Sequence, residues 1–134
     1  MPHLVILYTP NLEAETDVTA LCRSLSEAML AQRDEGGKQV FPIGGTRVLA
    51  YPAAHFAVAD NQGDYAFMYL NLRMAAGRSE AVRKKTGDDL LACAKAHLAP
   101  VFDKRHLGLT LNIDESPGQV YDGKHSNLHP LFNK

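Results

Sequence analysis

Met1-Pro2-His3-Leu4-Val5-Ile6-Leu7 opens the chain, and its reading decides the fold. Residues 4–7 are apolar at every position. A strand with one face in water alternates apolar and polar residues, so this run predicts a strand covered on both faces. Pro2 stands directly before it and becomes a free secondary amine at the strand's start once Met1 is removed, a step that small second residues generally permit. With Met1 retained, the Pro2 nitrogen is an amide with no lone pair to act as a base. The released amine is the candidate reacting group.

Outward from this strand, Thr9-Pro10-Asn11 supplies turn and cap chemistry. Val18, Leu21, Cys22, Leu25, Ala28 and Met29 then recur at helical spacing, which predicts an amphipathic helix of about five turns. Arg33-Asp34-Glu35-Gly36-Gly37-Lys38 reads as a polar, glycine-rich loop. Residues 46–51 predict a second strand that stops at Pro52, which cannot donate to a ladder. After the turn cluster 59–64, residues 65–74 hold Phe67, Met68, Tyr69, Leu70 and Leu72, the strongest strand signal in the chain. Ser79 is placed to cap a second helix bearing Val82, Leu90, Cys93, Ala94, His97, Leu98 and Val101 on one face. Gly87 weakens its middle by about 1 kcal/mol relative to alanine. Leu107, Leu109, Leu111 and Ile113 alternate with Gly108, Thr110, Asn112 and Asp114, a half-buried strand. The tail 116–134 is rich in turn residues, and Leu131-Phe132 near its end are expected to dock.

The order strand, helix, strand thus occurs twice, over residues of about 1–60 and 61–134. Two βαβ units with right-handed crossovers make an α/β (α+β) fold in one domain, a four-stranded mixed sheet with both helices on one face. Strands apolar on both sides, with helices for only one, predict a homo-oligomer that buries the open faces against each other.

Fourteen Lys and Arg stand against 15 Asp and Glu, a formal charge of -1 that gives no electrostatic case for nucleic acid or an anionic membrane. No apolar run reaches the roughly 18 residues that span a bilayer, and no secretory signal pattern opens the chain, so a cytoplasmic protein is expected. Cys22 and Cys93 read as small core residues in a reducing compartment. His106, His125 and His129 form no zinc spacing, no CxxC or HExxH pattern occurs, and metal binding is not expected. Gly36-Gly37 and Gly44-Gly45 lack the P-loop lysine and serine and read as turns. Phe41, Tyr51 and Phe67 are core residues or pocket walls. His3 should point to the face opposite Pro2 and serve as a structural histidine at a subunit contact.

Pro2-His3, Phe41-Pro42-Ile43-Gly44-Gly45-Thr46-Arg47, Ala59-Asp60-Asn61-Gln62-Gly63-Asp64-Tyr65-Ala66-Phe67, Ala76-Gly77-Arg78-Ser79 and Asn127-Leu128-His129-Pro130-Leu131-Phe132 are similar, in the same order and nearly end to end, to the 5-carboxymethyl-2-hydroxymuconate isomerase family of the tautomerase superfamily. The resemblance implies a double-βαβ homotrimer and a catalytic amino-terminal Pro2 at the bottom of each active-site pocket. It further implies substrate-binding arginines at Arg47 and Arg78, no cofactor, and a role in the breakdown of homoprotocatechuate-type aromatic compounds. Two departures stand out: the loop 33–39 is a few residues longer, and Val48 follows Arg47 where a second arginine is found in the family.

The chemistry agrees with those residues. A proton shift along an enol needs a base that is neutral near pH 7 and can return the proton at another carbon. A free α-amine titrates at about 8, and an apolar pocket beside arginines lowers that further. Planar, permanently charged guanidinium forks suit a substrate with two or three carboxylates. Arg78 is assigned to a carboxylate or the 2-oxo group and Arg47 to another carboxylate. Two other classes stay open: a decarboxylase or hydratase of the same superfamily, in which a protonated Pro2 acts as an acid, and a non-catalytic homo-oligomeric binding module, in which Pro2 only begins a strand.

Overall fold

The computed structural model describes residues 2–132, so the removal of Met1 lies outside what it describes. Strand β1, His3–Tyr8, buries Leu4, Ile6 and Tyr8 on one side and turns His3, Val5 and Leu7 to the other. Helix α1 spans Val18–Leu30, and the Asp17 carboxylate caps it by accepting the Ala20 N–H at 3.0 Å. Its 13 residues make fewer than the five turns expected, because Pro10–Leu12 forms a separate 3-10 turn and the cap at Asp17 fixes a late start.

Strand β2 is Arg47–Pro52, and β3 is Ala66–Ala75. Pro52 lies within β2 rather than beyond it, tolerated because β2 is an edge strand. Helix α2, Glu80–Phe102, begins where Ser79 Oγ accepts the Val82 N–H at 3.2 Å, and β4 is Leu107–Ser116. The sheet order is β2-β1-β3-β4. The pairs β1/β2 and β3/β4 are parallel, as βαβ crossovers require, and β1/β3 at the centre is antiparallel.

Both helices cover one face. Leu21, Leu25 and Met29 of α1 and Val82, Leu90, Ala94 and Leu98 of α2 close over Leu4, Ile6, Met68, Leu70 and Leu72, all of them buried. Each fully buried leucine contributes about 1.5–3 kcal/mol, which makes this face the main source of stability. Thr86, also buried, lies beside Gln32, which donates to Asp89 at 2.9 Å and ties the two helices together.

The other face is open and divided. On β1 and β2 it is apolar, with Leu7, Leu49 and Tyr51 at 48%, 44% and 50% exposure. On β4 it is polar, where Gly108, Thr110, Asn112 and Asp114 point outward and Asp114 accepts from Asn71 Nδ2 at 2.9 Å. Phe41 is wholly buried in the core, whereas Tyr51 and Phe67 belong to the open face. Within the single chain Leu131 and Phe132 remain 62% and 47% exposed, although the tail turn His129–Leu131 packs on the turn Ile43–Gly45. What docks is His129, whose ring and backbone sit directly on Gly44. Among the described residues, no helix is long and apolar enough to cross a membrane.

Candidate functional site

Because β1 and β2 run together and β3 and β4 run against them, the starts of the first pair and the ends of the second share one end of the sheet. Pro2 lies at that end. It is buried, and its carbonyl accepts the Arg47 N–H at 3.3 Å, extending the ladder one residue beyond β1. Alternation places its ring on the helix side with Leu4 and sends His3 to the open face, as anticipated.

The Arg47 side chain follows His3 to the open face. Its Nη1 lies 3.3 Å from His3 Nε2 and donates to the Gly45 carbonyl at 3.4 Å. A guanidinium only donates, so Nε2 of His3 accepts and the imidazole is neutral with its proton on Nδ1. Burial pushes the His3 pKa below its usual value, and the positive charges of Arg47 and Arg73 push the same way. Pro2 and Arg47 are therefore backbone neighbours with side chains on opposite faces.

Arg78 occupies the turn between β3 and α2. Gly77, at φ +113°, lets the chain leave β3 there, in a conformation a side chain would resist. The half-buried guanidinium donates from Nη2 to the Val40 carbonyl at 2.8 Å and from Nη1 to the Ala75 carbonyl at 3.4 Å. It borders a cleft of about 520 Å³ formed with Lys38, Val40 and Ser79. The longer loop is pinned to the same place: Asp34 Oδ1 accepts the N–H groups of Gly36 and Lys38, and Ser79 Oγ donates to Glu35 at 2.7 Å. That last bond holds the Glu35 carboxyl below the usual carboxylate range. Pro2, Arg47 and Arg78 thus gather at one end of the sheet, with Arg78 bound to the loop before Phe41 rather than to Pro2 or Arg47.

Two features of this end escaped the reading of the sequence. A Cβ on Gly44 would lie 2.9 Å from His129 Nδ1, so the 3-10 turn Ile43–Gly45 that leads into Arg47 forms the seat of the tail turn His129–Leu131. The paired glycines were the available signal. Arg73, the other, lies opposite His3 in the β1/β3 register. Among the described residues, no group of three or more His, Cys, Asp or Glu is arranged to hold a metal ion.

Comparison with known proteins adds three likenesses to a family match. The model for the family described as 5-carboxymethyl-2-hydroxymuconate isomerase matches residues 2–132. The chain is 30% identical over 132 residues to the 5-carboxymethyl-2-hydroxymuconate Delta-isomerase of Escherichia coli, covering 98% of this chain and 99% of that one. A crystal structure of a 5-carboxymethyl-2-hydroxymuconate delta-isomerase superposes with a TM-score of 0.94 at 54% identity, covering 100% of this chain and 94% of the other. The isomerase from Deinococcus radiodurans R1 does so with a TM-score of 0.86 at 37% identity, covering 99% and 95%.

Proposed function

The chain belongs to the 5-carboxymethyl-2-hydroxymuconate isomerase family, and from that premise we propose that Pro2, freed by removal of Met1, carries the proton in its reaction while Arg47 and Arg78 hold substrate carboxylates. The protein is an isomerase of the tautomerase type. The 2-hydroxyl of the substrate gives up its proton, the electron pairs move along the diene, and a proton returns at C5. The C2 enol becomes a C2 ketone, and the two double bonds C2=C3 and C4=C5 become one at C3=C4. No atom is gained or lost and no oxidant takes part, so a single base that can also act as an acid suffices.

The observation that carries this reading is the burial of Pro2 at the end of the sheet to which Arg47 and Arg78 also belong. Burial disfavours the ammonium form of the proline nitrogen and so favours the neutral form that can accept a proton near pH 7. Guanidiniums hold carboxylates in the plane of the conjugated chain and draw negative charge toward the oxo end.

The assembly belongs to the same proposal: a homotrimer in which the apolar half of the open face, with Leu7, Leu49 and Tyr51, is covered by neighbouring copies. Val120 and Tyr121, almost wholly exposed in the tail, are further surface for such a contact. Two free, half-buried thiols, Cys22 and Cys93, fit work in the reducing cytoplasm, in the breakdown of homoprotocatechuate-type compounds.

The test is the loss of conjugated absorbance of 5-carboxymethyl-2-hydroxymuconate, on protein whose mass confirms loss of Met1, with Pro2→Ala alongside. Expected is rapid conversion that falls by about 10²- to 10⁴-fold in the variant. Equal rates in the two proteins would remove Pro2 from the mechanism, and no conversion above buffer would remove this substrate.

A further inference from the structure

Arg73, at this end of the sheet, has no task in the mechanism above. His3 in β1 pairs in register with Arg47 in β2 and with Arg73 in β3, so the three side chains form a row across the open face at the end of the sheet where Pro2 lies. Adjacent strands lie about 4.8 Å apart, which sets the two arginine backbones roughly 10 Å apart with His3 between them. Arg73 is exposed and makes no hydrogen bond or ion pair among the described residues. The acids nearby hydrogen-bond to other residues. Asp114, its register partner on β4, accepts from Asn71, Glu115 pairs with Arg83 at 2.7 Å, and Asp122 is bound by Lys124. Arg73, His3 and Lys124 line a cleft of about 530 Å³ between the strand ends and the tail. The row stands at the starts of β1 and β2, at the end of the face away from Leu7 and Tyr51.

A cation without a partner, aligned with a second cation about a neutral imidazole, contributes nothing to folding that a neutral side chain would not. The cluster is suited to an anion. We propose that Arg73, with His3 beside it, is the subsite for the third carboxylate of the isomerase substrate, that of the carboxymethyl arm. The assignment rests on the isomerase reading above. A carboxymethyl-substituted hydroxymuconate carries three carboxylates, and Arg47 and Arg78 account for two. The third is joined through a saturated carbon, so it turns out of the plane of the diene and enters the cleft while the diene stays at Pro2. The guanidinium then pairs with it in bidentate fashion.

The experiment compares 5-carboxymethyl-2-hydroxymuconate with 2-hydroxymuconate, which lacks the arm, using wild type, Arg73→Gln and Arg73→Lys. If 2-hydroxymuconate turns over too slowly, its competitive inhibition constant replaces its KM. The expected result is a KM for the longer substrate raised about tenfold or more in Arg73→Gln, as loss of a charge-assisted pair implies, with kcat far less affected. The preference for the longer substrate falls by the same factor, and Arg73→Lys recovers part of it. An unchanged preference, whether both substrates suffer equally or neither does, overturns the subsite while leaving the isomerase intact. Wild-type protein that acts on neither compound overturns the isomerase reading itself, and the subsite with it.

Discussion

Nη1 of Arg47 lies 3.3 Å from Nε2 of His3, a contact that holds the imidazole neutral at the edge of the candidate site. Burial first, and the neighbouring arginines with it, keep the folded-state pKa of His3 below its ordinary value of 6.5. The unfolded chain therefore binds a proton here more readily than the folded one, so the contribution is complete above about pH 6.5 and is lost as pH falls toward the folded pKa. His3→Gln keeps an acceptor for Arg47 and removes the titration. Melting temperatures at about pH 7.5 and about pH 5.5 should differ less in the variant than in wild type. Equal falls on acidification would show that His3 does not contribute.

Phe41 is the largest wholly buried side chain, and it follows Val40, whose carbonyl receives Arg78. Phe41→Ala should cost about 3–5 kcal/mol in urea unfolding. Phe41→Leu keeps most of the volume and should cost far less. Its KM should rise more than its kcat falls if the Val40 anchor holds Arg78 in place for substrate.

Gly44→Ala should loosen the tail without unfolding the sheet. The new methyl would lie 2.9 Å from His129 Nδ1 and 3.1 Å from His129 Cα, and the tail turn is the lighter body to move. Hydrogen exchange at the Leu131 and Phe132 amides, which bond the carbonyls of Leu128 and His129, should speed up while the strand amides stay protected. Adding His129→Ala should relieve only part of the effect, because the methyl would still press on the backbone of residue 129.

Leu49→Glu places a charge in the apolar half of the open face without touching the helix side. Sedimentation should then report a smaller species than wild type, with far-ultraviolet circular dichroism unchanged. A variant that keeps the wild-type mass would locate the subunit contact elsewhere.

The local features of this fold were legible in the sequence. Continuous apolar residues 4–7, the cap at Ser79 and the alternation of Leu107 to Ile113 each act within a few positions, and each stands where it was expected. The extent of α1 was misread because helical spacing locates a face but not an end, which the Pro10 turn and the Asp17 cap decide. The surface that Leu131 and Phe132 meet was not legible, because apolar character alone does not reveal which surface a tail finds. Pro2, Arg47 and Arg78 were singled out through their resemblance to a family, and the structure places all three at one end of the sheet. Their arrangement was not legible: the row Arg47, His3, Arg73 and the Arg78 bond to Val40 join residues far apart in the chain, and only strand register sets such neighbours.

The central position of β1 has a consequence for synthesis. Strand β1, made before both of its partners, is hydrogen-bonded on both edges in the finished sheet, and one of those edges waits for β3. A nascent chain that has completed β1, α1 and β2 holds an apolar strand with an unpaired side, the kind of edge that recruits the wrong partner. The end of the sheet at Pro2 is complete only when His3 has met Arg73, so Pro2 is made before the residues that surround it. Slow translation between residues 52 and 66 would lengthen the exposure, whereas release of the whole chain ends it.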